Sequence, residues 1–232
     1  MYSWIKTHQE ISEYLSKNKE KQPELIKILK DAGIVNCFRD YNPKGKEIGL
    51  SEIDPFTFMS CIYKHGDQRK LEILQKVSAA LNLTQPTDVA GVASTNGMMT
   101  WLFPYKYERT HNEIARLWDF FFSVLNDTVT EEKFDDILTI NSVWKATITE
   151  SLYRIFPEKY FPLNNRTIFY LQKEFNISSD FETYAEYINI LRQIREKTEK
   201  HFYEIAHTAI MESDVNYWIF QGNPEVYDVE NA

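Results

Sequence analysis

The stretch WKATITESLYRIFPEKYFPLNNRTIFYL, residues 144–171, sets the fold class. Trp144, Ile148, Leu152 and Ile155 recur at helical spacing, and Tyr153 and Phe156 widen that apolar face. Pro157 ends this helix or follows its last turn, because proline lacks the amide hydrogen a helix interior needs; Pro162 fixes the exit. Asn164 or Asn165 then caps a second helix with Ile168, Leu171 and Phe175 on one side. Between the prolines, Tyr160 and Phe161 are too apolar for a free loop and are expected inside. The stretch reads as a packed helical hairpin.

Working outward, residues 2–17 form an amphipathic helix with Trp4, Ile5, Ile11, Tyr14 and Leu15 toward the core. A second helix carries Pro23 in its first turn, buries Leu25, Ile26, Ile28 and Leu29, and ends at Gly33. Residues 35–38 read as a short strand, followed by the polar DYNPKGKEIGL, a surface loop or hairpin. Asp54 as N-cap and Pro55 at the first helical position start the next helix, with Phe56, Met59, Ile62 and Tyr63 on its apolar face. Another helix follows from about residue 67. Residues 84–97 are irregular, and 98–103 read as a strand or extended segment closed by Pro104.

From about Thr110, the residues Ile114, Leu117, Trp118, Phe121 and Leu125 mark a further helix. Thr128 to Glu131 and Ser179 to Glu182 fit capping boxes. The second opens the longest helical pattern, in which Tyr187, Leu191, Ile194, Thr198, Phe202, Ile205 and Ala209 step by three and four. It spans about 40 Å if continuous and presents a coiled-coil-like seam. Residues 215–228 read as a strand entering a turn, with no partner strand after it, so a longer protein is expected. The fold expected is mainly α: a multi-helix globular domain over 1–212 with one or two short hairpins or strands, closing in a long helix and a terminal β-strand.

Composition agrees with that class. Of 232 residues, 43% are hydrophobic and 15% aromatic, enough for a sizeable core, while only 7 are Gly. The net charge of -8 argues against affinity gained by blanketing phosphates with Lys and Arg. Cys37 and Cys61 lack CxxC spacing, so free thiols in a reducing compartment are expected. The start MYSWIKTHQE has no apolar h-region, and no window resembles a membrane span, so a cytoplasmic protein without membrane contact is expected.

Catalytic signatures are missing from the sequence: no GxxxxGK[ST], HExxH, GxSxG or paired CxxC is present. The five His residues are dispersed, and Asp135 and Asp136 read as a solvated helix face. The chain is expected to be non-catalytic, with no cofactor and no metal site. A remote relation to helical DNA glycosylases is the enzymatic alternative, supported only by the proline-marked hairpin. The segment WLFPYKYER is the most suggestive for ligand contact, because it interleaves Trp101, Phe103, Tyr105 and Tyr107 with Lys106 and Arg109. Aromatic rings stack on unpaired bases while cations meet phosphates. The structural alternative is that alternate rings pack inward and the cations face water. A second basic set, Arg192, Arg195, Lys197 and Lys200, is diluted by Glu196 and Glu199 and reads as a solvated face.

Four stretches, EIDPFTFMSCIY, GVASTNGMMTWLF, the LW of ARLWDFF and SLYRIFPEKYFPLNN, occur in an order that resembles the amino-terminal region of McrB-like AAA+ proteins of modification-dependent restriction systems. The terminal YWIFQGNPEVYD resembles the opening strand and turn of an EVE domain, a PUA/YTH-like module that pockets modified bases. The first resemblance implies a DNA-recognition or accessory module that precedes an AAA+ motor and works with a nuclease subunit. The second implies that 213–232 begin an EVE-like domain whose pocket wall includes Trp218, Gln221, Gly222 and Asn223. Gly222-Asn223-Pro224 stands where standalone EVE proteins commonly carry Ser-Glu-Pro. The function expected is help in engaging DNA with modified bases, through Trp101, Tyr105, Lys106, Tyr107 and Arg109. The alternative is a protein-interaction or oligomerisation module of the same assembly without DNA contact.

Overall fold

The sequence PFTFMSCI has no polar face wide enough to meet water, so its helix is stable only when enclosed. Asp54 starts it: its backbone is extended, and its Oδ1 accepts hydrogen bonds from the amides of Phe56 (2.8 Å) and Thr57 (3.0 Å). Pro55 occupies the first turn, where a missing amide hydrogen costs nothing. In the computed structural model, which describes residues 1–95, 97 and 100–213, all eight residues of this helix are buried.

The other elements surround it. In chain order they are α1 (Trp4–Ser16), α2 (Gln22–Asp31), a hairpin of β1 (Arg39–Tyr41) and β2 (Glu47–Gly49), α3 (Pro55–Ile62), α4 (Asp67–Ala80), α5 (Glu113–Leu125), α6 (Glu131–Leu138), α7 (Lys145–Ile155), α8 (Asn165–Tyr170), α9 (Tyr184–Lys197) and α10 (Phe202–Ser213). A π-helical turn, Leu171–Phe175, extends α8. Helices α2, α4, α5 and α7 pack directly on α3, and α1 packs on α7. The strands pair antiparallel with Asp40 opposite Ile48, and they form the only sheet among the described residues. The fold is mainly α, as expected.

The hairpin of 144–171 forms. Tyr160 and Phe161 are fully buried, and Asn164 builds a capping box with Thr167. Trp144, however, is 56% exposed and stands at the N-cap of α7 instead of on its buried face. The strand expected at 35–38 begins later, at Arg39, and Val35 is exposed. Residues 100–103 form no strand, since the chain bends at Leu102 and Phe103, and 98–99 lie outside the described residues. Neither capping box forms at its expected residues, Thr128 with Glu131 or Ser179 with Glu182. Thr130 caps α6 and Thr183 pairs with Glu186 to cap α9, because in each case the next Thr along has extended backbone and can reach its N3 amide.

The long closing helix is two helices. Thr198 adopts an extended conformation, φ -155° and ψ 148°, which ends α9. The chain restarts at α10, where the Glu204 carboxylate accepts from the His201 amide at 2.8 Å. The seam persists across the break but faces inward: Tyr187, Leu191, Ile194, Phe202, Ile205 and Ala209 are all buried. The Tyr187 ring lies nearly parallel to those of Tyr160 and Phe134, and its hydroxyl donates to the Phe161 carbonyl at 2.8 Å. The expected strand at 215–228 and the EVE-like residues Trp218, Gln221, Gly222 and Asn223 lie outside the described residues.

Two buried titratable groups make stability depend on pH in opposite directions. His8 is fully buried between the Arg154 carbonyl, 2.7 Å from Nδ1, and the Tyr63 hydroxyl at Nε2. A carbonyl can only accept, so Nδ1 carries the hydrogen and Nε2 accepts from Tyr63. Burial pushes the His8 pKa down from 6.5 to about 3. The unfolded chain therefore takes up a proton first as pH falls below 6.5, and stability drops. Burial pushes Asp54 up from 3.8 to about 6. There the unfolded chain loses its proton first as pH rises, so this contribution weakens from about pH 4 to 6. In urea titrations, His8→Gln is expected to lower stability at pH 7.5 by about 1–3 kcal/mol. It should also lose roughly 2 kcal/mol less than the wild type on going from pH 7.5 to 5, since each tenfold change in proton affinity corresponds to about 1.4 kcal/mol. Parallel curves for the two proteins would contradict a neutral buried His8.

Candidate functional site

The aromatic-basic segment sits against the β-hairpin, and one carboxylate joins them. Asp40 is buried on β1, and its Oδ1 accepts from the amides of Tyr41 and Lys106, both at 2.8 Å. Its Oδ2 pairs with the Arg109 guanidinium, which is itself largely buried. Arg109 also lies over the Phe103 ring, 5.3 Å from its centroid. The sequence expectation placed Arg109 on phosphate; the structure commits it to Asp40 and Phe103. Both oxygens of Asp40 are thereby used, and the chain from 101 to 109 is fixed on the hairpin.

The rings divide by position. Phe103 is buried, and Trp101 is half-buried with its indole N–H donating to the Cys37 carbonyl at 2.9 Å. Tyr105 and Tyr107 are 41% and 45% exposed, and their rings stack with centroids 5.9 Å apart. Tyr41 meets Tyr105 edge-on at 5.1 Å, and Trp101 meets Tyr105 edge-on at 5.8 Å. A hydrogen bond with Glu108 holds the Tyr107 phenol above its ordinary pKa, so it stays protonated. Lys106 is exposed between the two tyrosines.

Trp101, Phe103 and Tyr105, but not Tyr107, form one wall of a cleft of about 470 Å³. Its other boundaries are Asn36 and Cys37, the hairpin residues Arg39 and Tyr41, Lys64 just beyond α3, and the 141–144 loop with the exposed Trp144. Two cations, Arg39 and Lys64, line it against one carboxylate, Glu108. Arg39 is only loosely matched by Glu47 across the hairpin, at 3.7 Å with both side chains exposed. Lys64 donates to the Asn36 carbonyl at 3.1 Å and lies at the rim. A second, more polar depression of about 580 Å³ adjoins it through Pro104, Glu108 and Asn141. There Arg116 is held by Asp136 at 2.8 Å and by Thr139 at 2.6 Å, so it is not offered to a ligand.

The structure thus brings together Trp101, Tyr105 and Tyr107 with Lys106 beside them, and adds residues that the sequence did not single out: Arg39, Tyr41, Lys64 and Trp144. Trp144 was misplaced because its spacing matched a buried helical face. Its position directly before the first helical residue, where a side chain swings away from the helix, was the missed signal. The second basic set stays apart: Arg192 pairs with Glu196 and Arg195 lies over Phe202. Among the described residues no group of three His, Cys, Asp or Glu is placed to hold a metal ion, and no helix is long and apolar enough to cross a membrane.

Asp40 should therefore be worth far more than a surface carboxylate. Asp40→Ala strands a buried Arg109 and two amides, and a loss of about 3–5 kcal/mol is expected. Urea unfolding read by tryptophan fluorescence would measure it. A loss below about 1 kcal/mol, typical of an exposed pair, would show that the segment is held by other contacts.

No curated protein and no solved structure matches the chain. The family described as Domain of unknown function (DUF8425) matches residues 4–212, nearly all of the helical region described above. On that match the chain belongs to the DUF8425 family.

Proposed function

We propose that this chain is a DNA-recognition or accessory module of an McrB-like restriction or anti-phage protein. It acts by holding an unpaired or extruded base in the aromatic cleft. The supporting observation is the juxtaposition of Trp101, Tyr105 and Tyr41 with the exposed Trp144 around a space of about 470 Å³, with Arg39 and Lys64 at its edge. Sites of about 300–1,000 Å³ suit small planar ligands. Aromatic walls reach a base face only when that base has left the duplex stack. The net charge of -8 fits a role in which few phosphates are contacted and bulk affinity comes from other parts of the assembly. The chain's own role on this reading is binding, without a cofactor, while an AAA+ motor and a nuclease subunit do the work on DNA. The EVE-like residues 213–232 would add a second base-reading element.

A protein-interaction role is the second reading. It is favoured by Phe169 and Met211, large apolar residues left exposed on the packed pair α8 and α10. The inward-facing seam of α9 and α10 offers no such surface.

Fluorescence polarisation of the 232-residue chain with single- and double-stranded DNA, unmodified and cytosine-modified, distinguishes the two. Single strands or duplexes with an unpaired base should bind best. Tyr105→Ala and Trp144→Ala should each weaken binding by about 1–3 kcal/mol. Arg39→Gln and Lys64→Gln should each reduce the salt slope by roughly one. Binding unchanged in all four variants would remove the cleft from the reading, and no binding at any salt would favour the interaction role.

A further inference from the structure

The lining of the aromatic cleft keeps its charged donors apart from its charged acceptor. Among the described residues Glu108 is the one carboxylate in that lining, and an ionised carboxylate can only accept hydrogen bonds. Arg39 and Lys64 are the cations, and a guanidinium or an ammonium can only donate. They stand on different boundaries. Glu108 belongs, with Pro104 and Asn141, to the side that the cleft shares with the polar depression, whereas Arg39 and Lys64 do not border that depression. Asn36, Asn141 and Ser142 also line the cleft, but amides and hydroxyls both donate and accept, so they set no preference of their own. We propose that the cleft is selective for guanine, with Glu108 accepting from the base's N1–H and N2 amino group while Arg39 and Lys64 donate to its O6 and N7. This selectivity rests on the cleft reading above, in which an unpaired or extruded base lies against the rings, and it names the base.

The other bases match this division of charge less well. Guanine carries two adjacent donors, N1–H and the N2 amino group, and beyond them two adjacent acceptors, O6 and N7. Two parallel N–H bonds to one carboxylate are the strong, bidentate arrangement. Cytosine and adenine each offer an amino group beside a ring nitrogen that accepts, so the second carboxylate oxygen would meet a lone pair. Thymine offers a single N–H between two carbonyls, which repel a carboxylate from both sides. The cations act in the same sense, because Arg or Lys on O6 and N7 of guanine is the commonest specific contact to a base. Stacking itself is tolerant of sequence, since every base has a ring face. The rings therefore supply affinity, and the charged boundaries supply choice.

The charged groups are open to a ligand. Glu108 is exposed, and its amide donates to the Tyr105 carbonyl at 2.8 Å, in a turn that Asp40 fixes through the Lys106 amide. The Tyr107 hydroxyl takes one acceptor position on its carboxylate, which has about four. Lys64 uses one of its three ammonium donors on the Asn36 carbonyl, at 3.1 Å. Arg39 lies 3.7 Å from Glu47 with both side chains exposed, a contact that a ligand displaces at little cost.

The test is fluorescence polarisation of the full 232-residue chain with labelled thymine strands that differ only at one central position. That position carries guanine, inosine, 7-deazaguanine, cytosine, adenine or thymine. The guanine strand should bind about tenfold or more tighter than the all-thymine strand, the scale of one good bidentate pair, with cytosine and adenine between them. Inosine lacks the N2 amino group and 7-deazaguanine lacks N7, so each should lose several-fold against guanine. Glu108→Gln keeps the side-chain shape but exchanges an acceptor for a donor, and should cut the ratio of guanine to thymine binding to about twofold or less. Because Glu108 is exposed, the variant keeps its fold, which circular dichroism checks. Equal binding of all strands, weakened together by Tyr105→Ala, overturns the guanine selectivity and leaves the cleft reading standing. No binding of any strand sinks the cleft reading itself. A guanine preference that persists in Glu108→Gln overturns the assignment of Glu108.

Discussion

Helix α3 exposes none of its residues, and this enclosure constrains everything placed around it. A buried polar group without a partner costs about 1–3 kcal/mol, and several of those on or beside α3 are met by a neighbour, although Asp54 Oδ2 is not. Thr57 Oγ1 accepts from the Leu102 amide at 3.0 Å, which seats the wall of the cleft. Ser60 contacts the Arg154 guanidinium at 3.4 Å, which ties in α7. The Ile53 carbonyl accepts the Trp118 indole at 3.0 Å, which orients α5, and the Tyr63 hydroxyl reaches His8 on α1. The helix is thus a hub through hydrogen bonds as well as through apolar contact.

The cleft inherits its geometry from the same arrangement. Leu102 is fixed to α3 on one side, and Asp40 fixes the Lys106 amide and Arg109 on the other. Between these anchors Phe103 is drawn into the core, while Tyr105 and Tyr107 are left at the surface. The exposed rings are therefore held by their backbone and by each other, not by burial. Backbone anchoring of this kind would lower the ordering cost of binding on the proposed reading. The cations nearby are few, so the chemistry offered is mainly that of ring faces, with charge at the rim.

A separate aromatic cluster packs α6, α9 and the 157–162 turn together. Tyr187 runs nearly parallel to Phe134 and to Tyr160, and its hydroxyl reaches the chain between the two prolines. This explains why the seam of α9 and α10 is so apolar without a second chain against it. It also fixes the break after α9, because Phe202 must turn in toward Phe161, at 5.7 Å between centroids.

The fold class, most helices and several caps were legible in the order of residues alone, since these depend on local spacing and on residues within one turn. Asp54, Pro55, Gly33 and Asn164 act within four residues of themselves, and each is found at the helix terminus its chemistry implied. Half of the site was legible too, because Trp101, Tyr105, Lys106 and Tyr107 lie in one stretch. What needed the folded chain was every property set by distant partners. Asp40 pairs with Arg109 across 69 residues, and Lys64 and Trp144 reach the cleft from the ends of separate helices. Periodicity reports which side of a helix is apolar. It does not report where that helix begins to the residue, whether a seam meets its own chain or another, or which charge is already paired, since those follow from the packing of the whole chain.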